Sequence, residues 1–115
     1  MHYEEHRIQE SFVLWMRNSY PDILLTCAPA VAKNVQQGVR NKRMGYQKGW
    51  PDIFIAKPAN GYYGLFIEFK AESGSESKDQ RAIREHLILL GYKSIVCRSV
   101  DDAISVVEKY LGKKP

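Results

Sequence analysis

The sequence predicts an α/β fold in which a mixed central sheet is flanked by helices. Apolar residues recur at helical spacing near both ends of the chain and again between the strands. Short β-rich runs stand between these segments, and one Asn-Gly pair joins two of them. The length of 115 residues fits one ordinary domain, and 44% hydrophobic with 26% charged residues is typical of a folded globular protein.

The N-terminal half is predicted to contain a helix, a short strand and a second helix. Residues 4–18 carry an apolar stripe at steps of three and four, and Pro21 follows the end of this helix. Residues 23–27 form a β-rich run that Pro29 stops. Residues 30–44 carry three valines at steps of four in a polar stretch interrupted by a glycine, which is a weaker helical pattern.

A hairpin occupies the middle of the predicted sheet. The runs over residues 52–57 and 64–70 are rich in β-branched and aromatic residues and are predicted to be strands. The link between them contains Asn60-Gly61, the strongest short signal for an antiparallel hairpin turn.

The C-terminal part is predicted to be a helix, a strand and a closing helix. Residues 77–80 have the form of a capping box, and the helix they start ends at Gly91. A strand over 93–98 and a helix over 99–111 follow. We therefore predict one domain over residues 4–111, with a fraying tail at 112–115.

Charge and cysteine content limit the possible functions. The net charge of +4 makes a polyanionic partner reasonable. Two cysteines, Cys27 and Cys97, are too few for a disulfide scaffold or a four-thiolate zinc site, and we expect both to be small buried residues. The sequence shows no membrane span, no signal peptide and no nucleotide-binding loop, which predicts a cytoplasmic protein without membrane or nucleotide partners.

Three charged residues flank the predicted hairpin. Asp52 begins one strand, while Glu68 and Lys70 lie two apart on the other and so project to the same face. Their neighbours are apolar, and a buried carboxylate or ammonium is costly unless it is paired or bound to a metal. Two carboxylates suit a hard cation such as Mg²⁺. The simpler alternative is a solvent-facing row of exposed charges on an edge strand.

Four motifs in order resemble those of a known nuclease family. Gly49-Trp50-Pro51-Asp52 followed by Ile67-Glu68-Phe69-Lys70 resembles the signature of the PD-(D/E)xK nuclease superfamily. With a first-helix glutamate and the step Ser77-Lys78-Asp79-Gln80, the layout resembles the virus-type replication-repair nuclease (VRR-NUC) family over residues 4–111. The resemblance implies a restriction-endonuclease-like core.

The resemblance also implies roles for individual residues. Asp52 and Glu68 would hold Mg²⁺ or Mn²⁺, with the backbone carbonyl of Phe69 as a further ligand, and Lys70 would position the attacking water. Gln80 matches a glutamine beside the site; its alternative role, the partner of a serine in the capping box, is compatible with that position.

The first-helix glutamate has three candidates. In the family this residue sits four positions before a glutamine, which selects Glu5 before Gln9. Glu4 and Glu10 are nearby alternatives, and an acid near the start of a helix is also favoured by the helix dipole alone.

The segment before Asp52 is a candidate nucleic-acid contact. Residues 23–51 contain no acidic side chain, and among their amides lie five basic ones: Lys33, Arg40, Lys42, Arg43 and Lys48. Such a strip beside a metal site suits phosphate binding, whereas by itself it would be an ordinary solvated helix face. Tyr46 and Trp50 could stack on bases, or Trp50 could pack in the core.

Together with the resemblance, these residues predict a metal-dependent DNA endonuclease. The resemblance to stand-alone members of the family implies a homodimer acting on branched DNA such as four-way junctions, in a bacterium or a phage-infected cell. A small domain also offers few phosphate contacts alone, whereas a two-fold dimer presents two sites to a two-fold junction. The alternative is a catalytically silent nucleic-acid-binding module with the same fold.

Overall fold

The computed structural model describes residues 3–29 and 32–112. Within them, no helix is both long and apolar enough to cross a membrane. The elements follow in the order α1 (Tyr3–Ser19), β1 (Leu25–Cys27), α2 (Val35–Arg43), β2 (Ile53–Ile55), β3 (Leu65–Phe69), α3 (Lys78–Leu89), β4 (Lys93–Cys97) and α4 (Val100–Tyr110).

The four strands form one mixed sheet in the order β1-β2-β3-β4. β1 and β2 are antiparallel, as are β2 and β3, and in the second pair Ile53 lies opposite Ile67. β3 and β4 are parallel, so the chain must cross over between them, and α3 makes this connection. The prediction of a mixed sheet flanked by helices is confirmed.

Both faces of β3 are covered, because all five of its residues are buried. Leu65, Ile67 and Phe69 belong to the main core with residues of α1 and α4, and the ring centroids of Phe12 and Phe69 are 5.6 Å apart. On the opposite face Phe66 packs among other aromatic rings and α3 covers the sheet. Each buried side chain of this size stabilises the fold by about 2 kcal/mol.

The Asn-Gly link between β2 and β3 forms the predicted tight turn. Asn60 and Gly61 both have positive φ, 52° and 84°, as the hairpin turns that match strand twist require. Ala59 and Tyr62, on either side, exchange backbone hydrogen bonds of 3.2 and 2.9 Å. This local turn returns the chain antiparallel to β2.

The second helix is shorter than predicted. The Asn34 side chain accepts a hydrogen bond of 2.8 Å from the Gln37 amide, which caps α2 and starts it at Val35 rather than at residue 30. Residues 30 and 31 lie outside the described part of the chain, as do Lys113–Pro115 of the predicted tail. None of the residues of α2 is buried, so this helix adds little to the core.

The cysteines differ from each other in burial. Cys97 on β4 is fully buried, as predicted. The prediction for Cys27 is wrong, because this residue is exposed. It ends β1, which is paired on one side only, so this edge of the sheet lacks the covering that β3 has on both faces.

Gly49 joins the turn before Asp52 to the start of α3. Its φ of +91° is unfavourable for other residues, and a Cβ there would lie 2.6 Å from the backbone carbon of Asp79. The glycine therefore lets the Gly-x-Pro-Asp turn contact the first turn of α3 directly. This close approach fixes where β2 begins relative to the helix.

Candidate active site

The register of β2 and β3 brings the two motif carboxylates together. Ile53 pairs with Ile67, so extending the ladder by one residue places Asp52 opposite Glu68. Because side chains alternate along a strand, both project to the face opposite the core residue Ile67. The Ala28 amide donates a hydrogen bond of 2.9 Å to the Asp52 carbonyl, which extends the β1–β2 pairing to this position.

The Asp52 carboxylate is held by the backbone of β3. Its Oδ2 accepts a hydrogen bond of 2.7 Å from the Phe69 amide. Burial raises the pKa of Asp52 above its ordinary value despite this bond, and repulsion from Glu5 adds to the rise while attraction from Lys70 and His6 opposes it. Glu5, His6 and Lys70 therefore all lie within electrostatic reach of Asp52.

Glu68 is the most deeply buried ionisable group of the site. It is only 2% exposed, and its Oε2 has no hydrogen-bond partner among the described residues. Burial raises the pKa of Glu68 to about 7, with repulsion from Glu76 and Asp52 adding to the effect and Lys70 and Arg84 opposing it. An unpartnered buried carboxylate oxygen is what a bound cation would satisfy.

Lys70 lies just beyond the last residue of β3 and is 7% exposed. Its amide donates to the Cys97 carbonyl at 3.0 Å, which continues the pairing with β4 and keeps Lys70 in strand alternation with Glu68. The alternative of a solvent-facing row of charges is therefore wrong, because both side chains are buried.

The structure brings Glu5, rather than its neighbours, to the site. Glu5 Oε2 accepts from the Ala71 amide at 3.4 Å, directly after Lys70, whereas Glu4 and Glu10 are exposed. The carbonyl of Ala71 in turn accepts a hydrogen bond of 2.9 Å from Arg98 Nη1. Glu5 and Arg98 thus hold the chain where it leaves β3.

Gln80 occupies the capping box that its spacing predicts. Gln80 Oε1 accepts from the Ser77 amide at 2.8 Å, and Ser77 Oγ accepts from the Gln80 amide at 3.1 Å. Both hydrogen bonds lie at the start of α3, and among the described residues Gln80 forms no hydrogen bond with Asp52 or Glu68. Its role as a site residue stays a prediction.

The predicted basic strip lies on α2, which buries none of its residues, and on the segments that flank it. Its five members are all exposed, on α2 or beside it: Lys33, Arg40, Lys42, Arg43 and Lys48. Lys48 Nζ lies 3.6 Å from Asp79 Oδ2 at the start of α3. Trp50 lies edge-on to Phe66, with ring centroids 5.5 Å apart, yet is 37% exposed. The Trp50 ring thus combines core packing with a surface that a ligand can reach.

The donor set fits a hard divalent cation. The candidate ligands are two carboxylates and the Phe69 carbonyl, and all three supply oxygen atoms. Mg²⁺ prefers oxygen ligands and is bound by one or two carboxylates while it keeps several waters. Among the described residues, no three His, Cys, Asp or Glu side chains form a ready-made metal cluster. The arrangement is therefore unlike a closed structural zinc site.

Glu76 and Arg84 lie within electrostatic reach of Glu68, and sequence reasoning missed both residues. Arg84 donates from Nε to Glu76 Oε2 at 2.7 Å and from Nη2 to Oε1 at 3.0 Å. The residues are eight apart, across the start of α3, and neither belongs to the family motifs. Only the packing of α3 on the sheet brings them to Glu68.

Comparison with known proteins shows what this chain is similar to. A family model described as the VRR-NUC domain matches residues 1–101. The chain belongs to the VRR-NUC family. A solved structure described as a VRR_NUC domain protein is similar to this chain at 26% identity with a TM-score of 0.80, over 96% of this chain and 91% of that one. No curated protein matches the chain.

Membership in the VRR-NUC family confirms the family and the fold that the motifs predict. It makes the chain a nuclease-type domain, for which DNA is the indicated substrate. The match also spans every element from α1 to β4, and therefore includes Glu5, Asp52, Glu68 and Lys70.

The pKa of Glu68 predicts how stability depends on pH in metal-free protein. Ionising this buried carboxylate costs more in the fold than in the unfolded chain, so the penalty is absent below pH 4.5 and grows as pH rises through about 7. Glu68→Gln lacks the penalty. In EDTA, we expect the wild type to lose up to about 3 kcal/mol of unfolding free energy relative to Glu68→Gln between pH 4.5 and 8.

Urea unfolding at a series of pH values measures this difference. Glu72→Gln is the matched control, because Glu72 is an exposed glutamate beyond the same strand, and it should keep the wild-type pH dependence. If the unfolding free energies of the wild type and Glu68→Gln depend on pH in the same way, burial does not raise the pKa of Glu68 and the prediction is wrong.

Proposed function

We propose that this protein is a Mg²⁺- or Mn²⁺-dependent DNA endonuclease that hydrolyses phosphodiester bonds. The observation that carries the proposal is the placement of Asp52 opposite Glu68, with the buried Lys70 beyond Glu68 on the same strand. Structural ion pairs account poorly for this group, because Glu68 Oε2 has no partner among the described residues.

In the proposed mechanism, Asp52, Glu68 and the Phe69 carbonyl would hold the cation. The Phe69 amide binds Asp52 Oδ2, which orients that carboxylate and leaves Oδ1 for the ligand. When bound, the cation would polarise the phosphate and lower the pKa of water. A bound cation would offset the burial that raises the pKa of both carboxyl groups, and also the repulsion that Glu68 experiences from Asp52.

Lys70 is proposed to act on the water and the phosphate. Strand alternation keeps its side chain on the side of Glu68, and burial excludes bulk water around the ammonium. There it can orient the attacking water and stabilise the negative charge that develops on the phosphate. Glu5, which binds the Ala71 amide, would hold Lys70 in place, and Gln80 would lie at the edge of the site.

The exposed basic strip is proposed to bind the DNA backbone. α2 buries none of its residues, so the sequence of this helix is not required by the core. Arg40, Lys42 and Arg43 lie in its last turn, and Lys48 follows in the turn that leads to Asp52. DNA phosphates bound along α2 and the following turn would lead toward the proposed metal site, because this segment directly precedes Asp52 in the chain.

A homodimer acting on branched DNA is the finer form of the proposal. A protein of 13.2 kDa offers few phosphate contacts alone, and a two-fold dimer would match the symmetry of a four-way junction. Exposed apolar side chains at the end of α3, including Leu89 at 85% and Leu90 at 55%, offer surface that a second copy could bury.

Substitution of the proposed catalytic residues should abolish cleavage without abolishing binding. Asp52→Asn, Glu68→Gln and Lys70→Met should each lower the cleavage rate by at least about a hundredfold, because each removes a charge that acts at the reacting phosphate. Gel assays with Mg²⁺, and with EDTA, on single-stranded, duplex, flap and four-way-junction DNA measure the rate and the substrate preference.

Two surface variants control for the loss of a charge alone. Lys57→Met and Asp101→Asn remove exposed charges elsewhere on the protein and should cleave at the wild-type rate. Wild-type activity in the Asp52 and Glu68 variants would contradict the proposed site. DNA binding by the wild type with no cleavage of any substrate would instead support the catalytically silent module.

Neutralising α2 should weaken DNA binding in a salt-dependent way. The variant Arg40→Gln/Lys42→Gln/Arg43→Gln should lower affinity for duplex DNA and reduce the slope of log affinity against log salt by about 2 to 3, since each phosphate contact contributes about 0.9. Fluorescence anisotropy from 50 to 300 mM salt measures this slope. Lys57→Gln/Lys93→Gln/Lys109→Gln makes the same change in charge away from α2, and an equal loss of slope there would refute a specific strip.

The dimer is tested by analytical ultracentrifugation. The wild type should sediment as a dimer of about 26 kDa, twice the 13.2 kDa chain, and Leu89→Glu/Leu90→Glu should be a monomer, because burying charge at an interface is costly. A wild type that stays monomeric at working concentrations, with and without a four-way junction, would rule the dimer out.

A further inference from the structure

Two adjoining cavities lie between α2 and the turn that leads to Asp52. Their volumes are about 690 and about 320 Å³, which are within the range of small-ligand pockets. They share one wall, which is formed by Asn41, Gly45, Tyr46 and Gln47. Lys42 and Lys48 also line the larger cavity, while Met44 and Trp50 also line the smaller one.

The end of α2 determines where Tyr46 lies. The Gly45 amide donates to the Lys42 carbonyl at 3.1 Å, and the Tyr46 amide donates to the Asn41 carbonyl at 2.9 Å. These two hydrogen bonds form the Schellman motif, which ends a helix at a glycine of positive φ, here 104°. The motif turns the chain back toward the helix and so brings Tyr46 beside Asn41 on the shared wall.

The shared wall presents groups that the fold itself does not use. α2 buries none of its residues, and Tyr46 is 37% exposed and lies outside the core. In the described part of the chain, the side-chain amides of Asn41 and Gln47 form no hydrogen bond. Residues 23–51 contain no acidic side chain, so the charges that this segment adds to the cavities are all positive. Stability therefore does not explain an exposed aromatic ring between two amides.

Trp50 connects the smaller cavity with the proposed active site. Its ring lies edge-on to Phe66, with ring centroids 5.5 Å apart. Phe66 is two residues before Glu68 on β3 and therefore lies on the same face of the sheet. Trp50 also precedes Asp52 by two residues. DNA with one nucleotide in the cavities would thus continue past Trp50 toward the two carboxylates.

An unpaired nucleotide matches this combination of groups. Its base offers a flat face to the Tyr46 ring, and the edge of the base offers hydrogen-bond donors and acceptors to the two amides. Its phosphate offers a negative charge to Lys42 and Lys48. A base within a paired duplex is stacked between its neighbours, and it can enter a pocket only by leaving the stack.

We propose that these cavities bind one unpaired nucleotide of the substrate DNA, with its base against Tyr46 and its phosphate near Lys42 and Lys48. The inference rests on DNA as the substrate of the proposed function and deepens it. It names an unpaired nucleotide, as in a bulge or a flap, as the feature of the DNA that the protein binds.

Removal of the base alone tests the proposal. A labelled duplex with one bulged thymidine is compared with the same duplex carrying an abasic residue at the bulge, in EDTA so that no strand is cut. The abasic duplex keeps every phosphate, so only the lost stacking should lower its affinity, by at least about fivefold. Fluorescence anisotropy at one salt concentration measures both affinities. Equal affinities would mean that this segment binds only phosphates, and would overturn the inference.

Variants of Tyr46 show whether this ring makes the contact. Tyr46→Ala should bring the two affinities within about twofold of each other, whereas Tyr46→Phe keeps the ring and should retain the preference for the base. Tyr63→Ala is the matched control, because Tyr63 is 68% exposed and precedes the other end of β3, and it should also retain the preference. A preference that survives in Tyr46→Ala would overturn the inference.

A second substitution keeps the test decisive if Tyr46→Ala does not fold, which circular dichroism shows. Tyr46→Leu keeps an apolar side chain at the end of α2 but has no aromatic face, so it should lose most of the preference for the base. Retention of the full preference in Tyr46→Leu would equally overturn the inference.

The outcomes also separate this inference from the proposed function. If the wild type prefers the bulged base but cleaves no substrate with Mg²⁺, the nucleotide site stands and the nuclease proposal falls. If the wild type cleaves DNA but binds the two duplexes equally, the nucleotide site falls and the nuclease proposal stands.

Discussion

The pairing of Ile53 with Ile67 determines where the charged side chains of this protein lie. With these two residues opposite each other in the ladder, Asp52 stands opposite Glu68, and both turn away from the core that α1 and α4 cover. A slip of one residue would turn the carboxylates toward that core. The Asn60-Gly61 turn supports the antiparallel pairing locally, and the Phe69 amide, bound to Asp52, closes it at the site.

The covering of β3 then sets the electrostatics. Helices on both sides of the sheet leave Glu68 and Lys70 with almost no contact with water. Ionisation of the Glu68 carboxyl group therefore has a desolvation cost, which the attraction from nearby cations does not cancel. Natural cores rarely keep such a group unless it has a partner or a function. In the proposed site a cation would offset this cost, and the charges are already in place before substrate binds.

The site and the proposed DNA contact differ in how they are built. Asp52, Glu68 and Lys70 are fixed by strand pairing and by buried neighbours on three elements. α2, by contrast, buries no residue and begins at a cap made by Asn34. A helix with few tertiary contacts can adjust to a ligand at low cost, whereas a catalytic group has to stay in one geometry.

Several features of this fold depend only on contacts between near neighbours, and the sequence predicted them. The hairpin turn, the capping box of Ser77 and Gln80, and the alternation of Glu68 and Lys70 all follow from contacts within a few residues, and all are found in the structure. The motif spacing also predicted the family. Only the tertiary structure joined Glu5 to the Ala71 amide, exposed Cys27 at an unpaired edge, and brought the Glu76–Arg84 pair within electrostatic reach of Glu68. These outcomes depend on how helices pack on the sheet, because contacts between residues distant in sequence leave no periodic signal in the chain itself.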